Sequence, residues 1–350
     1  GVPSKQYGEE IMACVIPRAW EDGLDEEEIK RAVRENMARH KVPKYVLFMD
    51  QFPMTASGKI QKFKLREMGI RAHAFNPYIP ILSARLNNRD HRKLLIIDGK
   101  VGYVGGYNLS DEYFGRARPY GVWKDTGLRL EGEAVRSLTA SFFELWNVTT
   151  KEDEDFARYL NICHKVTSEG FVQPFNDNPL SEERTAENVY LNLIAQAEKT
   201  LYITTPYLII TDEMSRALRL AAKRGVDVRI ITPGIPDKKV VFAITRSYYS
   251  GLARQGVRIF EYTPGFCHAK QCLCDGKIAS IGSSNFDYRS LYHHFENDVL
   301  LYGCDAIGDM ARDFDVLFSQ CSEVTQRYST GSGAILRIWQ CILRLFAPLV

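Results

Sequence analysis

His91-Arg92-Lys93-Leu94-Leu95-Ile96-Ile97-Asp98-Gly99-Lys100 and His268-Ala269-Lys270-Gln271-Cys272-Leu273-Cys274-Asp275-Gly276-Lys277 are two copies of one pattern, H-x-K-x-x-x-x-D-G-K. Each reaches an Asn seventeen residues after its His, at Asn108 and Asn285. A lone H-x-K is more often a surface pair. Two copies with matched spacing and flanks indicate a duplicated half-site, in which two histidines and two lysines face one substrate. Within each copy the His and Lys stand two apart, so strand geometry sets their side chains on one face. Asp-Gly is a strong two-residue hairpin signal. With Asp98-Gly99 at the turn centre, His91 falls opposite Gly106 and Asn108 returns close by. The same fold-back sets His268 opposite Ser283, near Asn285. Small residues there let an anionic group approach the backbone. Asp98 and Asp275 have the wrong parity for the shared face and are expected to shape the turns.

Two such hairpins facing each other suit a phosphodiester. One neutral His can attack phosphorus and form a phosphohistidine. The other can protonate the leaving alkoxide and then deprotonate the incoming alcohol. Lys93, Lys270, Asn108 and Asn285 would hold the phosphoryl oxygens, an electrostatic role that needs neither metal nor cofactor. Each His then requires a carboxylate on its other nitrogen to fix the tautomer. Asp125, in Trp123-Lys124-Asp125, and Glu296, in Phe295-Glu296-Asn297, follow their motifs at similar distance.

The bulk numbers are compatible with this. A chain of 350 residues allows two domains or three small ones. A net charge of +2 lacks the basic excess of a nucleic-acid binder, yet leaves an anionic lipid or phosphate substrate open. The eight Cys form no C-x-x-C pair, so no zinc site is expected. Cys272 and Cys274 share one face of a predicted strand and read as free thiols in a reducing compartment. No signal-peptide pattern and no apolar run long enough to span a bilayer occur. The opening Gly1-Val2-Pro3 reads as mid-chain.

Residues 1–70 have their own character: a helical pattern over 25–40 with Ile29, Val33 and Met37 on one face, a strand over 45–49, and a turn-rich loop over 53–60. Residues 187–303 read as an α/β unit with helices over 187–199 and 212–224. Its predicted strands cover 201–205, 226–232 and 257–262, which suggests a largely parallel sheet covered by helices. The stretch from Gly69 to Pro77 parallels that from Gly256 to Pro264. Upstream of Gly69 nothing parallels the unit at 187–234, so the first half is expected to be truncated, with a join near Leu65–Arg71. The expected division is 1–70, a small α+β domain; 71–165, the truncated first half; 166–328, the second half; and 329–350, an amphipathic helix. In the last, Arg337 and Arg344 share one side with Trp339 between them, as in an interfacial helix; packing on the core is the alternative.

Residues 71–350 resemble the phospholipase D superfamily, and within it bacterial cardiolipin synthases. The resemblance runs through "NNRDHRKLLIIDGKVGYVGGYNLSDEY", "WKDTGLRLEGEAV", "AAKRGVDVRIITPGIPDKK" and "EYTPGFCHAKQCLCDGKIASIGSSNFDYRSLYHHFEN". It implies a duplicated α-β-α sandwich and transfer of a phosphatidyl group between two phosphatidylglycerols, giving cardiolipin and glycerol. It maps the nucleophile to His91 and the acid/base to His268, an order the residues themselves leave open. It also implies an anionic phospholipid partner at the cytoplasmic side of a bacterial membrane, with the family's N-terminal transmembrane helices missing here. Oligomeric state is left open. The alternatives are another phosphodiesterase of the superfamily, a nuclease included, or an inactive chimera. Residues 1–70 resemble the C-terminal domain of adenylate-forming enzymes, through "YGEEIMACV" and "HKVPKYVLFMDQFPMTASGKIQK". That resemblance maps the loop lysine to Lys59, expected to be orphaned because no ATP-binding motif accompanies it.

Overall fold

The computed structural model describes residues 2–4, 8–10, 12–15, 25–36, 42–48, 69–76, 88–151, 155–160, 166, 168–330 and 344. The 53–60 loop with Lys59 lies outside the described residues, as does the 334–349 segment apart from Arg344. The chain divides into two compact units, Gly1–Ala74 and Phe75–Val350.

In the first unit β1 (Val2–Ser4) pairs antiparallel with β2 (Gly8–Glu10). β3 (Met12–Val15) pairs parallel with β4 (Tyr45–Phe48), and α1 (Glu26–Asn36) lies on the crossover between them. The Asp25 side chain accepts the Glu28 N–H at 2.8 Å, and Glu26, Glu27 and Glu28 fill the first turn, where negative charge suits the helix dipole.

The second unit opens with β5 (Arg89–Asp90), β6 (Leu94–Ile97), β7 (Val101–Gly105), β8 (Val122–Lys124), β9 (Gly127–Glu131), α2 (Ala134–Thr150) and α3 (Ala157–Leu160). It continues through β10 (Phe171–Asp177), α4 (Thr185–Gln196), β11 (Thr200–Thr204), β12 (Leu208–Ile209), α5 (Asp212–Lys223), β13 (Asp227–Pro233) and α6 (Lys239–Ala253). Next come β14 (Arg258–Tyr262), β15 (Gly265–Cys267), β16 (Gln271–Cys274), β17 (Ile278–Gly282), β18 (Phe286–Asp287) and α7 (Tyr288–His293). It closes with β19 (His294–Tyr302), α8 (Asp305–Ser319), β20 (Cys321–Glu323) and α9 (Thr325–Ser329). The cap of α5 is Thr211, whose hydroxyl accepts the Met214 N–H at 3.2 Å; Asp212 is its first helical residue.

The large sheet runs β10-β19-β17-β16-β11-β13-β14-β20, with β5 also on β19. It is mixed, where the strand–helix alternation suggests mostly parallel pairing. The β11-β13-β14 run is parallel because α5 and α6 carry the chain back across the sheet. β16 and β17 are antiparallel because a three-residue loop reverses the chain directly, and β19 returns antiparallel to β17 after β18 and α7. In the first half, the described residues supply a three-stranded sheet, β6-β7-β9.

Both motif hairpins differ from the expected register by one residue. Asp98 and Gly99 hold left-handed conformations, φ 52° and 65°, and Lys100 N–H closes on Ile97 O at 2.9 Å. Pairing resumes at Ile97↔Val101, so Lys100 is an extra residue in the loop. Asp275, Gly276 and Lys277 repeat this, with Cys274↔Ile278 as the first pair. The two-residue loop is therefore a three-residue one, and neither His stands directly opposite its expected partner.

Two cores sandwich the large sheet. One packs Tyr190, Leu218, Tyr249 and Leu291 against Cys272 and Cys274. The other packs Phe314 of α8 against Leu273 and Val299, and takes in Val104, Leu130 and Leu138 from the first half. β16 is buried on both faces, which is why "QCLC" carries no polar alternation. Its two cysteines are free, as expected.

Candidate active site

Two short parallel pairings place the site. β8 lies beside β15, in register Phe266↔Trp123 and Cys267↔Lys124, and His268 N–H bonds Lys124 O at 2.7 Å. The next residue of the first half is Asp125, and its Oδ2 meets His268 Nδ1 at 2.7 Å. β5 lies beside β19 in the same way: Phe295↔Asp90 pair, and His91 N–H bonds Phe295 O at 3.0 Å. The next residue there is Glu296, whose Oε1 and Oε2 meet His91 Nδ1 at 2.8 and 3.0 Å. Each half thus supplies the carboxylate that orients the other half's histidine. Nothing in the linear sequence pairs them crosswise.

Each carboxylate is held from its own half. Ser283 donates its hydroxyl to Glu296 Oε2 at 2.6 Å. Gly106 abuts Asp125, and any side chain there would collide with the Asp125 carboxylate and the His268 carbonyl. The small residue expected to admit an anion therefore admits Asp125. With Nδ1–H donated to a carboxylate, the free lone pair of each ring is on Nε2.

Lys93 donates to the carbonyl oxygen of His91. Lys270 donates to His268 O at 2.5 Å and lies within 3.0 Å of both nitrogens of that ring. The two lysines stand close enough for their charges to oppose one another, which brings the two motifs into one electrostatic site. Burial lowers Lys93 to about 7, against Glu296 and with Lys270 adding to the fall. Burial likewise lowers Lys270 to about 8, against Asp125 and Glu296. Burial pushes His91 down to about 4 although Glu296 pulls it up. Burial, then Lys270 and Lys93, hold His268 well below the ordinary histidine value. Burial lifts Asp125 to about 6. For Glu296 burial acts upwards too, but His91, His294 and Lys93 outweigh it and hold the carboxyl well below the usual range. At neutral pH both imidazoles are therefore neutral.

The turn aspartates and the two asparagines hydrogen-bond neither histidine among the described residues. Asp98 is exposed at its hairpin tip. Asp275 accepts the backbone N–H groups of Glu198, Lys199 and Thr200 at 2.7–2.8 Å, tying its tip to the start of β11. Neither touches a histidine. Asn108 is exposed and donates to the Tyr113 hydroxyl at 2.9 Å. Asn285 is 5% exposed, its Oδ1 has no partner among the described residues, and it bonds neither histidine.

Two neighbours were not read from the sequence. The Tyr113 hydroxyl lies 3.3 Å from His268 Nδ1, and its ring meets the imidazole edge-on at 5.4 Å. His294, adjacent to Phe295-Glu296, sets its Nδ1 3.4 Å from Glu296 Oε1. A second His two residues before the carboxylate was the available signal; Tyr113 had none. The donor atoms of His91, His294 and Glu296 lie within 4.8 Å of one another, the spacing of a metal-ligand set. Both Glu296 oxygens are already engaged by His91 and Ser283, so the cluster reads as one that positions protons.

A mixed α/β sandwich with two crossed histidine–carboxylate pairs, a buried Lys270 and a half-buried Lys93 is the arrangement of a phospholipase D-type fold. Residues 190–318 match the family model described as "Cardiolipin synthase, PLD-like domain", and residues 1–59 match "AMP-binding enzyme C-terminal domain". The chain is 37% identical to a cardiolipin synthase of Geobacillus kaustophilus and 39% identical to cardiolipin synthase 2 of Bacillus anthracis, in each case over 82% of its length. It is 45% identical, also over 82%, to an uncharacterized protein of Streptococcus mutans. It spans 62%, 58% and 56% of the Streptococcus, Geobacillus and Bacillus proteins. Among solved structures, phosphatidylserine synthase of Haemophilus influenzae matches 97% of this chain and 88% of its own, with TM-score 0.61 at 15% identity, a likeness of fold. The similarity is thus to phospholipase D-like proteins, bacterial cardiolipin synthases among them.

Proposed function

We propose that the chain transfers a phosphatidyl group between two phosphatidylglycerol molecules, forming cardiolipin and releasing glycerol. The observation that carries this is the pair of crossed His–carboxylate contacts beside Lys93 and Lys270, whose charges oppose one another. His91 Nε2 attacks phosphorus; the new P–N bond forms as the P–O bond to glycerol breaks. His268 gives its proton to the departing alkoxide, then takes one from the hydroxyl of the second phosphatidylglycerol. That oxygen displaces His91 from phosphorus. Lys93 and Lys270 hold the non-bridging oxygens, and the bound anion supplies the charge that lets His268 carry its proton. The side chain of His91 is 24% exposed against 8% for His268, which supports His91 as the group meeting the bulky donor. Glu296 and Asp125 fix the tautomers.

The substrate is an anionic lipid, so the reaction takes place at a membrane surface, on the cytoplasmic side of a bacterial membrane. Among the described residues no helix is long and apolar enough to cross a bilayer. The test is incubation with phosphatidylglycerol vesicles, following cardiolipin and free glycerol. His91→Ala and His268→Ala each lower the rate on the order of 10³-fold or more. Acid-labile phosphorus accumulates on His91 in the His268 variant. Cardiolipin formation that survives His91→Ala overturns the mechanism; cleavage of single-stranded DNA with no lipid transfer overturns the substrate.

A further inference from the structure

The carboxyl ends of β11 and β13 carry a polar cluster that the transfer chemistry does not use. Tyr207, just beyond β11, donates its hydroxyl to Asp237 Oδ2 at 2.6 Å. Lys238 Nζ donates to the Tyr207 hydroxyl at 3.0 Å and pairs with Asp237 Oδ2 at 3.1 Å. Asp237 Oδ1 accepts no hydrogen bond among the described residues. The loop is pinned: Gly234 N–H bonds Tyr262 O at 2.9 Å, and Ile235 N–H bonds Gly265 O at 3.2 Å, at the start of the strand leading to His268. Asp237 is 15% exposed and Lys238 62%, so the cluster sits at the surface of the fold and not in its core.

An aromatic wall joins the cluster to His268. The Tyr207 ring lies 6.3 Å from Phe266, and Phe266 lies 6.0 Å from the His268 imidazole. Tyr113 stands edge-on to the same imidazole. The charge of Asp237 reaches His268, Tyr113 and Tyr207 alike.

A carboxylate with one free oxygen, an ammonium beside it and flat aromatic faces suit a neutral polyol. Its hydroxyls donate to the carboxylate and accept from the ammonium, while its C–H groups lie on the rings. We propose that Tyr207, Asp237 and Lys238 form the subsite for the spare hydroxyls of the acceptor alcohol, selecting a polyol headgroup over a simple alcohol or water. The inference rests on the phosphatidyl-transfer reading. One acceptor hydroxyl forms the new P–O bond as the P–N bond to His91 breaks, and its proton passes to His268. A neighbouring hydroxyl is held by Asp237, which sets the reacting one beside the base.

The test is a competition on the full chain. Phosphatidylglycerol vesicles are supplied with glycerol and ethanol together, and phosphatidylated glycerol products, phosphatidylethanol and phosphatidic acid are quantified from one reaction. Asp237→Asn and Tyr207→Phe lower the ratio of glycerol-type products to phosphatidylethanol by about 10–100-fold, as expected for a lost hydrogen bond to a charged group. Asp237→Glu, which keeps the carboxylate, recovers part of the ratio. A general loss of folding moves all products together and leaves the ratio unchanged, so the ratio isolates selection. Active variants with the wild-type ratio overturn the subsite alone. A wild-type chain that phosphatidylates no acceptor overturns the transfer reading, and the subsite with it.

Discussion

Lys93 and Lys270 are the phosphate-facing groups of the proposed site whose charge changes near neutrality, because burial brings them to about 7 and 8, with Lys270 adding to the fall at Lys93. A lysine binds a phosphodiester only while protonated, so the sign is fixed: affinity is full below these values and falls as pH rises through them. The inhibition constant of a soluble phosphodiester is therefore predicted to be flat near pH 6 and to weaken steadily between about pH 7 and 9. Lys270→Met weakens binding at pH 6 and removes part of that slope. A constant that stays level to pH 10 contradicts this account of the lysines. His91, at about 4, adds no ionisation of its own across the same range. At this scale the sequence was most informative. The His and Lys of each copy were legible because their chemistry is carried by spacing within one strand. Tyr113 was not, because its approach to His268 depends on how a loop packs, and no periodic signal records that.

Among the elements, β8 and β5 matter out of proportion to their length. β8 is three residues long, yet its pairing with β15 sets Asp125 against His268. Val122 N–H bonds Pro264 O at 2.9 Å, while its side chain is 47% exposed. Val122→Pro removes that donor and little packing. The expected outcome is a loss of about 10²-fold in transfer rate, as for a misplacement near 1 Å, with a melting temperature close to wild type. Unchanged turnover would show that β8 does not position Asp125. A second element effect concerns stability. Asp298 on β19 is buried and accepts from the Ser284 backbone and hydroxyl, and burial lifts its carboxyl to about 7. A raised folded-state value means that its stabilising contribution is full at low pH and is lost as pH rises from about 4 through 7. Asp298→Asn should therefore gain in melting temperature relative to wild type as pH increases from 5 to 8. A difference that does not change with pH counts against it. The helices and parallel strands of 185–262 were legible from periodicity. The extra hairpin residue and the β5 and β8 pairings were not: the first is a backbone choice at Lys100 and Lys277, and the others join segments more than a hundred residues apart.

Across the whole second unit, the site is a joint property of both halves. Asp125 and Glu296 act on opposite histidines, so under the proposed transfer removing either impairs a histidine that serves both steps of one reaction. Asp125→Asn and Glu296→Gln are each predicted to cost on the order of 10²–10⁴-fold in kcat. The double variant should fall no more than about tenfold below the worse single one, since groups acting as a unit are not additive. Full multiplication of the two losses would show independent sites. The shared core, in which Leu138 and Val104 pack with Phe314 and Val299, binds the halves mechanically as well. The duplicated motif made the existence of two halves legible, but not that each reaches across to the other, because crossing leaves both copies unchanged. The exchange of carboxylates also has a hereditary consequence. After the duplication, a substitution near Asp125 is judged by how well His268 still works, and one near Glu296 by the fate of His91. Compensating changes should therefore accumulate between the copies, and each repeat becomes a record of its sibling's history more than of its own.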